Sequence, residues 1–254
     1  MAIYNQKVYE WMQGGSHKAA EIIVPEIIKL IRPQRIIDIG CGTGEWLDVF
    51  KRHGVREVLG VDGGWFSQDL LQITPEEFIK LDFTRDELKI NRTFDLVVTL
   101  EAIHHVPKEK IKDFIRQIAQ LAPVILFSSP IPYQKGSGFN VNEQWLDYWA
   151  ELFKENGFFA ADCLRDKLWA NKRIEWWYSQ NMVIFADKNR IGHLPELIKE
   201  IDATPQPPLR RIHPTLFLRR MSQGAENASL AQLIKALPHA AMMEIKKLLN
   251  LNND

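Results

Sequence analysis

Asp38-Ile39-Gly40-Cys41-Gly42-Thr43-Gly44-Glu45-Trp46, DIGCGTGEW, continues the apolar run RIIDI at 35–39, and its reading decides the fold. Gly40, Gly42 and Gly44 alternate with other residues, so the loop can take positive φ and let a ligand touch bare backbone. A dinucleotide fingerprint has a third glycine at the sixth position, where helix and strand pack closely. Here that position is Glu45 and the spacing is G-x-G-x-G. The helix that starts after the loop points its free amide donors at the ligand, which suits a carboxylate.

Outward from the loop, strands alternate with helices. Residues 18–31 read as an amphipathic helix broken or kinked near Pro25. A helix through EWLDVFKRH follows the loop and ends at Gly54. REVLGVD ends in Asp62, FIKLD in Asp82, and FDLVVTL forms a further apolar strand. Ile111, Phe114, Ile115, Ile118 and Leu121 recur at helical spacing before the strand PVILFSS. A helix from 142 stops at Gly157, and FFAADCL and QNMVIFAD read as a closing antiparallel pair. The pattern predicts an α/β fold, a doubly wound and largely parallel sheet.

In such sheets the ligand lies beyond the carboxyl ends of the strands. Asp62, 22 residues past Gly40, sits where a carboxylate accepts both hydroxyls of a ribose, and Asp82 where one accepts an adenine amino group. No basic residue stands inside the loop to meet phosphate. The combination describes an adenosyl ligand without a pyrophosphate.

The 254 residues are 46% hydrophobic, enough for one full core, and 32 basic residues balance 32 acidic ones. That balance argues against nucleic acid or an anionic membrane as a partner. Cys41 and Cys163 lack metal-type spacing and suit a reducing compartment. The N-terminal stretch has no apolar h-region, and no run reaches the roughly 18 apolar residues of a membrane span. A cytoplasmic location is expected. The prolines at 205, 207, 208 and 214 mark a change of character. They divide the chain into a domain at 1–202 and a proline-rich segment with a C-terminal helical extension at 203–254. Leu230, Ile234, Leu237, Ala241, Ile245 and Leu248 give that extension an apolar face that docks on the domain, lies on a surface or forms a homodimer.

These motifs resemble the class I S-adenosylmethionine-dependent methyltransferases. DIGCGTG is similar to their first motif, GVD to the second, KLDF to the third and FDLVVTLEAIHHVP to the fourth. The resemblance covers residues 18–187 and implies a Rossmann-like seven-stranded sheet with an antiparallel last pair. It implies S-adenosyl-L-methionine as cofactor, held by Asp38, Gly40, Cys41, Gly42, Gly44, Asp62, Asp82, Phe83 and Leu100. The run from LFSSPIPYQKGSGF to WWYSQNMVIF, with RIHPTLF, resembles bacterial methyltransferases of sugar and cell-surface glycan modification. This implies O-methylation of a sugar hydroxyl in polysaccharide or glycosylated-metabolite biosynthesis.

A hydroxyl acceptor needs a base or a metal. Glu101, His104 and His105 follow the fourth-motif strand, and histidine is matched to proton transfer near neutral pH. Members of the group read Glu, two residues, Glu-His here, so His105 matches their histidine and His104 replaces an acid. Their histidine two residues before the asparagine of NEQW is Asn140 in this chain. One histidine function is therefore expected to have moved from 140 to 104. Three roles stay open for these residues. They are direct base, ligands of a divalent metal ion as Glu101, His104 and His105, or structure.

On the acceptor side stand Gln134, Lys135, Asn140, Asn142, Glu143, Gln144, Trp145 and Trp177. Asn142 has helix capping as a competing role, and of Trp145 and Trp149, four apart, at least one is expected in the core. Arg210, Arg211, His213, Arg219 and Arg220 form either a phosphate-holding cluster or a solvated face. Two other readings compete with the sugar enzyme: an RNA 3′ end or other small metabolite as acceptor, and a non-catalytic scaffold. Near-zero charge weighs against RNA, and the intact glycine loop weighs against the scaffold.

Overall fold

The structure is a computed structural model that describes residues 6–134, 141–204 and 206–222. Its elements run α1 (Gln6–Ile31), β1 (Arg35–Ile39), α2 (Glu45–Arg52), β2 (Glu57–Asp62), β3 (Phe78–Lys80), β4 (Leu96–Leu100), α3 (Ile111–Leu121) and β5 (Val124–Ser128). They continue with α4 (Leu146–Lys154), β6 (Phe158–Ala161), α5 (Arg165–Leu168), α6 (Trp176–Asn181), β7 (Val183–Asp187), α7 (Pro195–Ala203) and α8 (Pro214–Ser222). The seven strands order as β3-β2-β1-β4-β5-β7-β6. Every neighbouring pair from β3 to β5 is parallel, and β7 pairs antiparallel with both β5 and β6. This is the doubly wound, largely parallel sheet that the periodicity predicts, with the seven strands and antiparallel last pair of the Rossmann-like class I arrangement that the resemblance implies.

Both faces of the sheet are buried, which is why its strands read as continuous apolar runs rather than alternating ones. Successive side chains go to opposite faces. Ile36, Leu96, Val98, Val124, Leu126, Ile184 and Ala186 pack on the face covered by α1 and α2. Ile37, Ile39, Val97, Ile125, Phe127, Val183 and Phe185 pack on the face covered by α3 and α4. Trp149 is fully buried in the second layer, against Phe127, whereas Trp145 sits just before α4 and is half-buried.

The structure moves four boundaries. The first helix starts at Gln6 rather than 18 and runs through Pro25. Proline removes one backbone bond, but Ala19, Ala20, Ile23, Val24 and Ile27 bury completely along the same helix and hold it together. FIKLD yields a strand only to Lys80, because Asp82 turns the chain by accepting the Thr84 amide at 3.2 Å and the Thr84 hydroxyl at 2.5 Å. FFAADCL ends as a strand at Ala161, where Asp162 pairs with Arg165 in the interior. QNMVIFAD begins as a strand only at Val183, opposite Phe127. The preceding WWYSQN is helix α6, which closes its backbone bonds locally and carries Tyr178, Gln180 and Asn181 into the interior.

The chain divides by contacts into two units, Met1–His213 and Pro214–Asp254. Within the second, the helix α8 is described, and the C-terminal tail expected as a dimer contact lies outside the described residues. No helix among the described residues is long and apolar enough to cross a membrane.

Candidate active site

The glycine loop is built as its spacing predicts. Gly40, Gly42 and Gly44 have φ of 82°, 56° and 89°. At Gly40 the requirement is also spatial, since an added Cβ would stand 2.3 Å from the Ala102 Cβ. The loop after β1 and the turn after β4 therefore touch, and this brings Glu101 to the glycine loop. Gly44 caps α2 in a left-handed conformation.

Together these elements wall a pocket on the glycine loop. Asp38, Gly40, Cys41 and Gly42 line it from the loop, Leu100 and Glu101 from the end of β4. Sequence reasoning missed Ser16, Thr43, Glu45, Trp46 and Tyr178, which complete the lining. Glu45 had a local signal, as a charged residue where a third glycine is usual. Ser16 and Tyr178 are 162 residues apart, and their hydroxyls meet at 3.2 Å, so no local pattern connects them. The Trp46 and Tyr178 rings meet edge to face at 5.6 Å.

The pocket is acidic. Asp38 and Glu45 are both buried, and Thr43 donates its hydroxyl to Glu45. Burial, with the neighbouring Asp62 and Glu45 carboxylates, pushes the Asp38 carboxyl well above its ordinary range. Burial also raises the Cys41 thiol, which stays neutral and unreactive. Glu45 lies in the first turn of α2, so a carboxylate of the chain itself occupies the helix start expected to receive a ligand carboxylate.

Asp62 is 7% exposed and accepts the Gly42 amide at 3.0 Å and the Gly64 amide at 3.1 Å, thereby tying β2 to the glycine loop. Asp82 ion-pairs with Arg85 at 3.5 Å beside its bonds to Thr84, and neither it nor Phe83 lines the pocket. Phe83 is buried near Gly40. Replacing Asp62 by Ala frees two loop amides and removes the acid at the end of β2. We expect it to weaken S-adenosylhomocysteine binding, read by calorimetry, by roughly 10- to 100-fold, the worth of one or two hydrogen bonds to a charged group.

Glu101 has a φ of 53°, uncommon for a residue other than glycine and a mark of functional strain when the surroundings enforce it. Its amide donates to the Ser128 carbonyl at 3.0 Å and lies 3.2 Å from the Ser128 hydroxyl. Its carboxylate accepts the Asn181 side-chain amide at 3.2 Å. Burial raises its pKa to about 7, against the lowering effect of the Asn181 and Ser128 hydrogen bonds, and Glu143 adds to the rise.

His104 and His105 form a short 3₁₀ turn with Ile103 after β4, their rings 3.9 Å apart, and neither lines the pocket. His104 is 4% exposed, and its carbonyl accepts the Asn142 amide at 3.1 Å. Among the described residues no three His, Cys, Asp or Glu side chains cluster to hold a metal ion. The expected ligand set of Glu101, His104 and His105 is corrected accordingly. Glu101 precedes the 3₁₀ turn in a left-handed backbone conformation, so the three residues do not share the helical face that their spacing suggested.

The acceptor-side residues divide. Gln134 is held in a buried amide cluster, with its Oε1 accepting from Ile131, Gln180 and Asn181. Asn142 is buried and accepts from Gln144 at 3.1 Å, so it is not the helix cap, a position taken by Trp145. Trp177 lies on α6 rather than a strand and packs in part against the core. Lys135 and Asn140 lie outside the described residues. In the basic cluster Arg210 pairs with Asp147 at 2.8 Å and covers Trp145, and Arg211 pairs with Asp166 at 2.6 Å and covers Trp169. These two arginines thus have carboxylate partners and aromatic platforms that the sequence did not suggest.

A seven-stranded sheet of this order, with an acid-lined pocket on the glycine loop, defines the class I methyltransferase architecture. The chain belongs to the methyltransferase-domain family, whose model matches residues 12–182. S-adenosylmethionine is the donor this family implies, and the pocket fits it. Carboxylates and aromatic rings suit a ligand bearing a sulfonium and an ammonium, and no Lys or Arg is among the lining residues.

The chain is 33% identical to norajmaline N-methyltransferase of Rauvolfia serpentina over a match covering 45% of each chain, so it spans under half that relative's length. Among solved structures it resembles the sugar N-methyltransferase KedS8 from Streptoalloteichus sp. ATCC 53650, at 14% identity. That match covers 73% of this chain and 96% of the other, with a TM-score of 0.54. An O-methyltransferase family protein from Burkholderia thailandensis matches at 13% identity, covering 68% and 58% of the two chains, with a TM-score of 0.46.

Proposed function

We propose that this methyltransferase O-methylates a sugar hydroxyl in glycan or glycosylated-metabolite biosynthesis, with Glu101 as the base. The observation that carries the role of Glu101 is its position: in the pocket wall at the end of β4, in a left-handed backbone conformation, with a carboxyl at about 7. When bound, S-adenosylmethionine supplies a methyl carbon whose bond to sulfur breaks as its bond to the acceptor oxygen forms. Asp38, Glu45, Trp46 and Tyr178 would hold the cationic end of the donor, and Asp62 with the glycine loop would hold its adenosyl part. Glu101 accepts the proton that the acceptor hydroxyl loses and passes it to solvent after transfer. A carboxyl near 7 is ionised in half the molecules at neutral pH and returns its proton readily.

Support for a sugar acceptor comes from the resemblance of residues 126–185 to glycan-modifying enzymes and from the half-buried Trp176 and Trp177, whose faces suit sugar rings. A second reading, N-methylation of an amino sugar, is favoured by the N-methyltransferase names of two similar proteins. Glu101 serves it equally, since an ammonium must lose a proton before it attacks.

The test is transfer of a labelled methyl group to nucleotide sugars, glycan fragments, amino sugars and a short RNA in parallel. Label in a sugar hydroxyl is the expected result. Label at nitrogen selects the second reading, and label only in RNA overturns both.

A further inference from the structure

Behind Glu101 lies a chain of side-chain amides that methyl transfer itself does not require. The His213 backbone amide donates to Gln180 Oε1 at 2.8 Å. Gln180 Nε2 donates to Asn181 Oδ1 at 2.9 Å and to Gln134 Oε1 at 3.2 Å. Asn181 Nδ2 donates to Gln134 Oε1 at 3.0 Å and to Glu101 Oε1 at 3.2 Å. Gln180 and Asn181 are 1% and 2% exposed. Both protons of each amide are engaged, so neither has a donor left for a substrate.

We propose that Asn181, backed by Gln180 and Gln134, is a positioning residue that aims the Glu101 carboxylate and holds it in its ionised form. This rests on the reading of Glu101 as the base. The direction of the bonds carries the argument. Every link from His213 to Glu101 donates toward the carboxylate, so each bond polarises the next and the last presents its strongest donor to Glu101. Such a donor stabilises the charged form. The chain is anchored at its far end as well. Arg165 donates to the Gln180 carbonyl at 3.2 Å, to Leu209 at 3.0 Å and to Pro208 at 3.1 Å, which fixes the segment that supplies His213.

Other charges bear on Glu101 from every side. Asp38 and Glu45 share the pocket wall from β1 and α2, Tyr178 faces it from α6, Glu143 acts from the segment before α4, and His104 and His105 follow it in the turn. Burial raises its carboxyl to about 7, and Glu143 further disfavours its ionisation. Asn181, with Ser128, opposes both effects, and Asn181 is the larger of the two.

The test is Asn181→Leu, with Asn181→Ser as a smaller replacement that keeps a donor. The ¹³C carboxyl signal of Glu101, assigned by its loss in Glu101→Gln, is titrated in the protein without acceptor. We expect its midpoint to rise by about one pH unit or more in Asn181→Leu. Asn181→Ser should restore it in part. The pH profile of kcat/KM should move by the same amount, with the rate recovering at high pH. A midpoint that stays in place in both variants overturns the proposal, and so does a rate that falls equally at every pH. The titration needs no acceptor, so it answers even if no sugar is methylated. A wild-type enzyme inactive on every sugar, with the midpoint shift present, fails the substrate reading alone.

Discussion

Glu101→Gln is expected to lower kcat for methyl transfer by roughly 10²- to 10⁴-fold, the range a positioned general base contributes. Binding of S-adenosylhomocysteine should persist, because the glycine loop and Asp62 are untouched. The wild-type rate should climb with pH through about 7, where the Glu101 carboxyl ionises, and the variant should lack that rise. Full activity with an unchanged profile would return the base to His104 or His105. The same substitution makes a stability prediction of fixed sign. A carboxyl raised from 4.5 to about 7 on folding binds its proton more tightly in the native state. The wild type therefore loses stability as pH rises from 4.5 to about 7 and stays weakened above. Glutamine does not ionise, so Glu101→Gln should gain roughly 1–3 kcal/mol at pH 8 and show no such gain at pH 4, read by thermal melts. A site that is costly to the fold and necessary to the rate is the pattern expected of a catalytic group.

Arg165→Ala is expected to destabilise the protein by about 3–5 kcal/mol, read by urea unfolding, the range for removing one partner of a buried ion pair. Asp162 and Arg165 are both 1% exposed. The guanidinium Nε reaches both Asp162 oxygens, at 2.9 and 2.8 Å, and the two terminal nitrogens donate to the carbonyls of Gln180, Pro208 and Leu209. Alanine would leave a carboxylate and the Gln180 carbonyl without that donor in the interior. Replacing both residues, as Asp162→Asn with Arg165→Met, should recover part of the loss because the stranded charge disappears. Lys112→Ala provides the contrast. Its pair with Glu155 is 67% and 55% exposed, and its loss should cost less than about 1 kcal/mol.

The sheet was legible because a strand buried on both faces must be an apolar run, and β1, β2, β4, β5 and β7 are such runs. The glycine loop was legible because positive φ and close approach select glycine at particular positions. Gln180 and Asn181 were misread for the converse reason. An apolar stretch that follows WWY reads as strand from its start, and nothing local says that the sheet partner ends at Ser128. Asp62 and Asp82 looked equivalent, each closing a strand. Only the turn chemistry of Thr84 separates them, holding one acid while the other ties the loop.

By itself, the sequence determined the layer architecture, the strand that carries the glycine loop and the adenosyl character of the ligand, since these follow from periodicity and from backbone conformations that few residues tolerate. The tertiary structure alone decided which acid faces the pocket. Glu101, His104 and His105 lie within five residues, yet a left-handed turn at Glu101 and a 3₁₀ turn after it place Glu101 in the pocket wall and leave the histidines out of it. The amides of Gln134, Gln180 and Asn181, and the ion pair that anchors them, join segments tens of residues apart. Contacts of that kind leave no periodic trace in the chain, because each is fixed by the packing of elements rather than by the spacing of neighbours.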